Sequence, residues 1–386
     1  MKRILLVILI CTIAATLVFS ASAEIYSGEC DRGVNWTFDT ENGILNVSGN
    51  GFIKSFRSPY QSDLPWLNFR DSIKSVVVEE GVTHIGACAF ALCNNLVSVT
   101  LPSTIQTIGE YAFNTCPNLA SIHIGDNVTE LGGWAFAGCD ALKEVRLGAK
   151  ITAIAERAFY HCDSLESITL PFGVTEIGAD AFGYCKNLKE IILPNSVTYI
   201  YQNAFANCPE LGSAIIPDSV KYIGTAAFEN CEKLVIYGFD SSRAAEHAAS
   251  NGLRFVSVDD ATASASVVMT INKSFGFING NVKMLDAAPI IRNDRTMLPF
   301  RFVSEAFGAT VTWDGATSTA TVTTDDVEIR ITMGDTVAYV NGIAAALDSP
   351  AFIQNDRAYL PVRFVAEALG ATVGWDGVTS TATLTK

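Results

Sequence analysis

The stretch Ile177-Gly178-Ala179-Asp180-Ala181-Phe182-Gly183-Tyr184-Cys185-Lys186-Asn187-Leu188 is one copy of a unit that recurs along the chain at a spacing of 23 residues. Its phenylalanine reappears as Phe90, Phe113, Phe136, Phe159, Phe182, Phe205 and Phe228, each preceded by alanine. Three residues on comes a cysteine: Cys93, Cys116, Cys139, Cys162, Cys185, Cys208 and Cys231. A leucine follows three residues after each, from Leu96 to Leu234. A fixed period of this length predicts a solenoid, in which a repeat buries its apolar side only by stacking on its neighbours.

The rest of the unit fills in the coil. Apolar pairs after the leucine (Val99/Leu101, Ile122/Ile124, Val145/Leu147, Ile168/Leu170, Ile191/Leu193) alternate with period 2, which predicts a short half-buried strand. Prolines at 102, 171, 194 and 217 remove a ladder donor and end it. A second apolar pair follows, such as Ile105/Ile108, Val174/Ile177 and Val197/Ile200. From there to the cysteine, for instance Gly178 to Cys185, the reading is one or two helical turns that dock the phenylalanine inward. The template reaches back to Ile73, Val76, Val78, Val82 and Ile85 as a degenerate first repeat.

These residues closely resemble the BspA-type leucine-rich repeat of bacterial surface proteins, with its signature I-G-x-x-A-F-x-x-C-x-x-L-x-x-I-x-L-P, over about half of the chain. A second repeat lies beyond it, at an offset of 62 residues. Leu298-Pro299-Phe300-Arg301-Phe302-Val303 matches Leu360-Pro361-Val362-Arg363-Phe364-Val365, and Trp313-Asp314-Gly315 matches Trp375-Asp376-Gly377. Each copy reads as strands, a short helix stopped by Gly308 or Gly370, and a closing hairpin. The motif L-P-x-R-F-V-x-E-A-x-G-A-x-V-x-W-D stands in full in both copies and resembles the N-terminal stalk domain of copper amine oxidases. The expected fold is mainly β with short helices, a solenoid of 23-residue repeats plus a small α+β duplicated stalk-like domain.

Residues 1–23 carry Lys2-Arg3, an apolar or small stretch to Phe19, and Ala21-Ser22-Ala23, the pattern of a secretory signal cleaved after Ala23. No second run of membrane-spanning length follows. Residues 24–72 read as a hairpin-rich β cap with Asn42-Gly43 and Asn50-Gly51 turns. Residues 73–258 form the array, closed by a helix over Ser241–Asn251 and a strand over Arg254–Val258. A small polar linker spans 259–266. The stalk-like domain occupies 267–386, with copies at about 267–324 and 327–386. Because 259–266 has little apolar surface, the two modules are expected to fold separately.

The whole chain has 26 basic and 40 acidic residues, a net charge of −14. Loss of Lys2 and Arg3 with the signal takes it to −16. Such a surface repels nucleic acid and anionic lipid and suits an exported protein. Equivalent cysteines on stacked coils keep about the strand spacing of 4.8 Å. A disulfide needs Cβ atoms about 3.5–4.5 Å apart and converging. The ladder therefore reads as free, buried thiols. Cys30 and Cys88 lie off it, and a bond between them stays open. The aromatic stretch Phe52, Phe56, Tyr60, Trp66, Phe69 either covers the first repeat or stacks on a glycan.

Chemistry is not indicated. Copper needs several converging imidazoles. The four histidines, His84, His123, His161 and His247, occupy unrelated positions, and none lies in the stalk-like domain. Nucleophile elbows, phosphate loops and zinc motifs are missing. The expectation is no enzyme, no metal and no cofactor. Glu305 and Glu367 read as i, i+4 partners of Arg301 and Arg363.

What remains is surface. Outward positions of the first strand form columns that include His123, Glu144, Arg146, Thr169, Glu190, Ile192 and Ile215, with Ile192 and Ile215 read as exposed neighbours. Tyr199 and Tyr222 pair on the next strand. The function this implies is an exported surface or secreted protein that binds an extracellular protein or polysaccharide through the solenoid face. The rival is a structural envelope component, its C-terminal module holding the cell wall and the repeats serving as spacer.

Overall fold

A computed structural model describes residues 24–258, 265–355 and 357–386. The expected signal segment, and most of the expected linker, lie outside the described residues.

The array is a stack of coils, each adding a short extended segment to each of two parallel faces, though at Thr169 the first face is held by a single bridge. On the first face Ser121–His123 pairs with Glu144–Arg146, and Glu190–Ile192 with Ser213–Ile215, then Val235–Gly238 and Arg254–Ser257. On the second, Ala153–Ile154, Glu176–Ile177, Tyr199–Ile200 and Tyr222–Ile223 run side by side. Three antiparallel strands, Ile25–Asp31, Val34–Asp39 and Ile44–Gly49, start the first face, the last pairing in parallel with Ser75–Val78. The cap thus extends the sheet of the array and covers its first repeat.

The stretch from Gly178 to Cys185 is not helical, contrary to the sequence reading; it is a run of turns. Asp180, Phe182 and Tyr184 donate their amides to Gln202, Ala204 and Ala206 of the next coil, at 3.0, 2.8 and 2.9 Å. Ala181 and Gly183 close tight turns back to Gly178 and Asp180. Sending alternate amides along the stack is incompatible with a helix, which directs every amide down its own chain. Two left-handed residues per coil produce the path, as at Tyr111 and Thr115, Arg157 and His161, Asp180 and Tyr184. The glycine that opens the unit follows from the stacking distance. A Cβ on Gly132 or Gly178 would lie 2.4 or 2.6 Å from the backbone nitrogen of Glu110 or Glu156 on the preceding coil.

The seven phenylalanines form one stacked column, with successive ring centroids 5.2–5.7 Å apart. Trp66 of the cap stacks on Phe90 at 5.3 Å and donates Nε1–H to the Ala89 carbonyl. His247 closes the other end, edge-on to Phe228. Of the cap aromatics, Phe56 and Trp66 are buried, while Phe52 and Tyr60 are exposed. The cysteines form a second column. Cys185 Sγ donates to the Phe159 carbonyl at 3.2 Å, and the same bond joins Cys116 to Phe90 and Cys231 to Phe205. Burial pushes the Cys185 thiol up to about 12. Cys30 and Cys88 are free as well.

The terminal helix, Arg243–Asn251, starts where the Ser242 side chain accepts from the Ala245 amide and stops at left-handed Gly252.

The C-terminal module has three antiparallel sheets. In one, Ser266–Thr270 sits between Phe275–Ile278 and Thr381–Thr385; in another, Glu328–Thr332 sits between Val337–Val340 and Thr319–Thr323. The two sheets are equivalent under the 62-residue offset. Each takes three strands from one copy and two from the other. Neither copy completes a sheet by itself. The third sheet joins Arg295–Pro299 to Arg357–Pro361. Short helices follow at Phe300–Ala306 and Val362–Ala368. Arg363 and Glu367 approach to 3.8 Å on the exposed surface.

The modules, expected from 259–266 to fold separately, share a buried apolar contact. Among the described residues, the joint lies between faces. Tyr237, Val256 and Val258 of the array bury against Val268, Phe275 and Phe277. Tyr237 Oη donates to Thr270 Oγ1 at 2.9 Å within this contact. Ser266, expected in the linker, is already paired with Thr385.

Candidate binding cleft

The parallel register turns the outward residues of the first face into columns. Arg146 lies beside His123 and bridges to Thr169, and Ile192 lies beside Ile215, which lies beside Tyr237. Glu190 neighbours Ser213 in the adjacent column. His123, Glu144, Arg146 and Thr169 are exposed and Ile192 is half-buried. Ile215, read from sequence as exposed, is buried. The C-terminal module covers it, along with Ser213, to whose hydroxyl Lys273 Nζ donates at 3.3 Å. Burial lowers the Lys273 pKa.

Where the module leaves this face, it opens a cleft of about 1020 Å³. One wall is the array, with Thr169, Glu190, Ile192, Pro194 and Pro217. The other is the hairpin of the C-terminal module, with Phe277 and the run Asn279 to Met284. The hairpin turn rests on the array: a Cβ on Gly280 would meet the Phe239 ring at 2.6 Å. The equivalent Gly342 has nothing within 4 Å. At the mouth stand Phe172, 92% exposed, and Met284, 62% exposed.

The cleft brings together Thr169, Glu190, Ile192 and Ile215 of the residues singled out from sequence. His123, Glu144 and Arg146 lie further along the array and do not line it. Tyr199 and Tyr222 belong to the other sheet, where Tyr201 lies between them at centroid distances of 6.1 and 6.3 Å. Phe172 was missed, although it left a signal. The residue after the turn proline is Ser103, Asn195 or Asp218 in other repeats and Phe172 only here.

A second aromatic strip also escaped the sequence reading. Tyr111 stacks on Trp134, the Arg157 guanidinium lies 4.6 Å from the Trp134 ring centre, and His161 stacks on Tyr184. Arg157 also pairs with Asp180 at 2.9 Å. These rings spend their faces on one another, so the strip reinforces the left-handed turns. Among the described residues no group of three or more His, Cys, Asp or Glu is placed to hold a metal ion. No helix there is long and apolar enough to cross a membrane.

Residues 68–163 and 152–245 match the BspA type leucine rich repeat region, in six copies. Residues 277–384 match the copper amine oxidase N-terminal domain, a non-catalytic domain. No curated protein matches the chain. Among solved structures, it is similar to the T. pallidum leucine rich repeat protein TpLRR: 20% identity, 59% of this chain and 98% of that one, TM-score 0.38. It is also similar to a leucine-rich repeat protein from Eubacterium ventriosum, with 21% identity over 56% and 73% of the chains and TM-score 0.33. A leucine rich cell surface protein from Faecalibacterium prausnitzii shows 26% identity over 57% and 77%, with TM-score 0.32.

Proposed function

For a chain that joins a BspA-type leucine-rich repeat region to a copper amine oxidase N-terminal domain, we propose a binding protein of the cell surface or the extracellular space. It takes its macromolecular ligand, protein or polysaccharide, in the cleft where the two modules meet. The observation that carries this reading is Phe172. Full burial of a phenylalanine side chain contributes about 1.5–3 kcal/mol, yet this ring stands in water at the mouth of a largely apolar cleft. Exposed aromatics beside a desolvated pocket are the usual anchors of recognition. The repeat family supports a protein-binding or surface role, and the acidic surface agrees with export.

The test is binding of the mature chain to immobilised extracellular-matrix proteins, soluble polysaccharides and wall fragments. Phe172→Ser should lower the affinity for whichever ligand binds by roughly tenfold or more, with an unchanged melting temperature. Ligand binding that is indifferent to Phe172→Ser would remove the cleft from the function. The structural reading, with the module gripping the wall, draws on the open face of the second sheet, where Val337 and Tyr339 are exposed. Wall-fragment binding lost in Tyr339→Ser and kept in Phe172→Ser would select it.

A further inference from the structure

The cleft has a feature that side-chain chemistry alone does not describe: one of its walls is the open edge of a sheet. Among the described residues, Asn281–Met284 is the outermost strand of its five-stranded sheet, paired only with Phe275–Ile278. All four of its residues line the cleft. Successive side chains of a strand point to opposite faces, so a cleft lying over one face would meet only alternate residues. Contact with all four fits a cleft that reaches round to the open edge of this strand.

The register says which backbone groups that edge offers. The two-residue turn Asn279-Gly280 makes Ile278 and Asn281 the closing hydrogen-bonded pair. The Leu285 amide donates to the Ser274 carbonyl at 2.8 Å, which carries the same alternation to the far end. Val282 and Met284 therefore fall at non-hydrogen-bonded pairs, with their amides and carbonyls directed outward. Opposite them the array supplies Ile192 and Pro194, with Glu190 and Asp218 as acidic groups. The hydrophobic contact between the modules, through Phe277 and Ile215, continues into this floor.

We propose that the cleft binds an extended polypeptide segment of a partner protein, added as a further strand on the Asn281–Met284 edge. Main-chain bonds form to Val282 and Met284, an apolar side chain packs on Ile192 and Met284, and a basic residue faces Glu190 and Asp218. Main-chain pairing supplies affinity and the alternate side chains supply selectivity in this mode of recognition. The net charge of −14 favours a basic partner. The inference rests on the cleft being the binding site and adds the class of its ligand. The molecule carries its own control: Ile343–Ala346 is the equivalent edge of the second sheet, with no array wall facing it among the described residues and Ile343 73% exposed.

The probe is a set of labelled synthetic heptapeptides, apolar at alternate positions with Lys or Thr between, titrated against the mature chain by fluorescence anisotropy. Each has a counterpart N-methylated on the amides that would pair. The parent peptides should bind, and N-methylation should weaken binding roughly tenfold or more, as loss of one or two main-chain hydrogen bonds requires. Val282→Pro should weaken it similarly and Ala344→Pro should leave it unchanged. N-methylated peptides that bind as well as their parents overturn the edge pairing; if Phe172→Ser still abolishes that binding, the cleft stands as the site. Equal losses from Val282→Pro and Ala344→Pro overturn the inference, as does absence of peptide binding at about 1 mM. Binding of cellohexaose or chitohexaose instead, lost in Phe172→Ser, also overturns it and leaves the cleft as a glycan site.

Discussion

The array and the C-terminal module are both announced by internal repeats, yet the repeats mean different things. In the array, equivalence implies contact: Tyr199 pairs with Tyr222, and Lys186, Lys189 and Lys233 reach Asp163, Glu166 and Glu210 one coil back. In the module's two five-stranded sheets, equivalent residues are held apart by an exchange of strands, and they meet in the third sheet, where Leu298 pairs with Leu360. Val267 pairs with Leu384, and its counterpart Ile329 pairs with Val322. One repeat operates by translation, so each copy is a layer; the other operates by an approximate two-fold exchange, so each copy is half of two sheets. The period alone does not distinguish them. What distinguishes them is where a copy can bury its apolar face.

The largest consequence is for truncation. A chain ended after Thr324 lacks Thr381–Thr385, the strand beside Ser266–Thr270. The first copy should then be unfolded as a whole, with amide exchange of Val267 to Met269 rising to that of an unstructured chain. A first copy that stays protected would refute the strand exchange.

Next in size is the core of the array. Phe159→Ala should cost about 3–5 kcal/mol, since the cavity it leaves is clamped between Phe136 and Phe182. The loss is read from the denaturant midpoint of the array. An unmoved midpoint would mean that the column does not hold the coils together.

The smallest effect is at the end of the column. Burial lowers the His247 pKa below its usual 6.5. The folded state therefore holds the ring neutral where the unfolded chain takes up a proton. Stability from this group is complete above about pH 6.5 and declines as pH falls toward the lower folded pKa, by at most about 1.4 kcal/mol per unit. Amide exchange of the Arg243–Asn251 helix, compared at pH 7 and pH 5.5 after correction for intrinsic rates, should show the loss. His247→Phe should remove this contribution. The same pH slope in that variant would assign the effect elsewhere.

Much of this was legible in the sequence. The inward column from Phe90 to Phe228, the free cysteines beside it, and the Ser–helix–Gly closure of the array follow from spacing and local chemistry. The coil path from Gly178 to Cys185 was not legible as turns, because helical turns and left-handed turns both bring Phe182 inward. Only the axial bonds from Asp180, Phe182 and Tyr184 separate them. Phe172 was visible as a break in a polar position, but its meaning depends on Met284 and Phe277 arriving opposite.

By itself the sequence determined the layers: which residues stack, at what interval, and what ends the stack, since each such contact recurs with the period. Only the tertiary structure decided how the modules meet. The joint of Tyr237 with Phe275 and Phe277 is made once, between faces assembled by different repeats, and no periodicity encodes a contact that occurs a single time. That joint buries Ile215, leaves Ile192 half-open and sets a sheet edge against the array, so the cleft exists only in the folded whole.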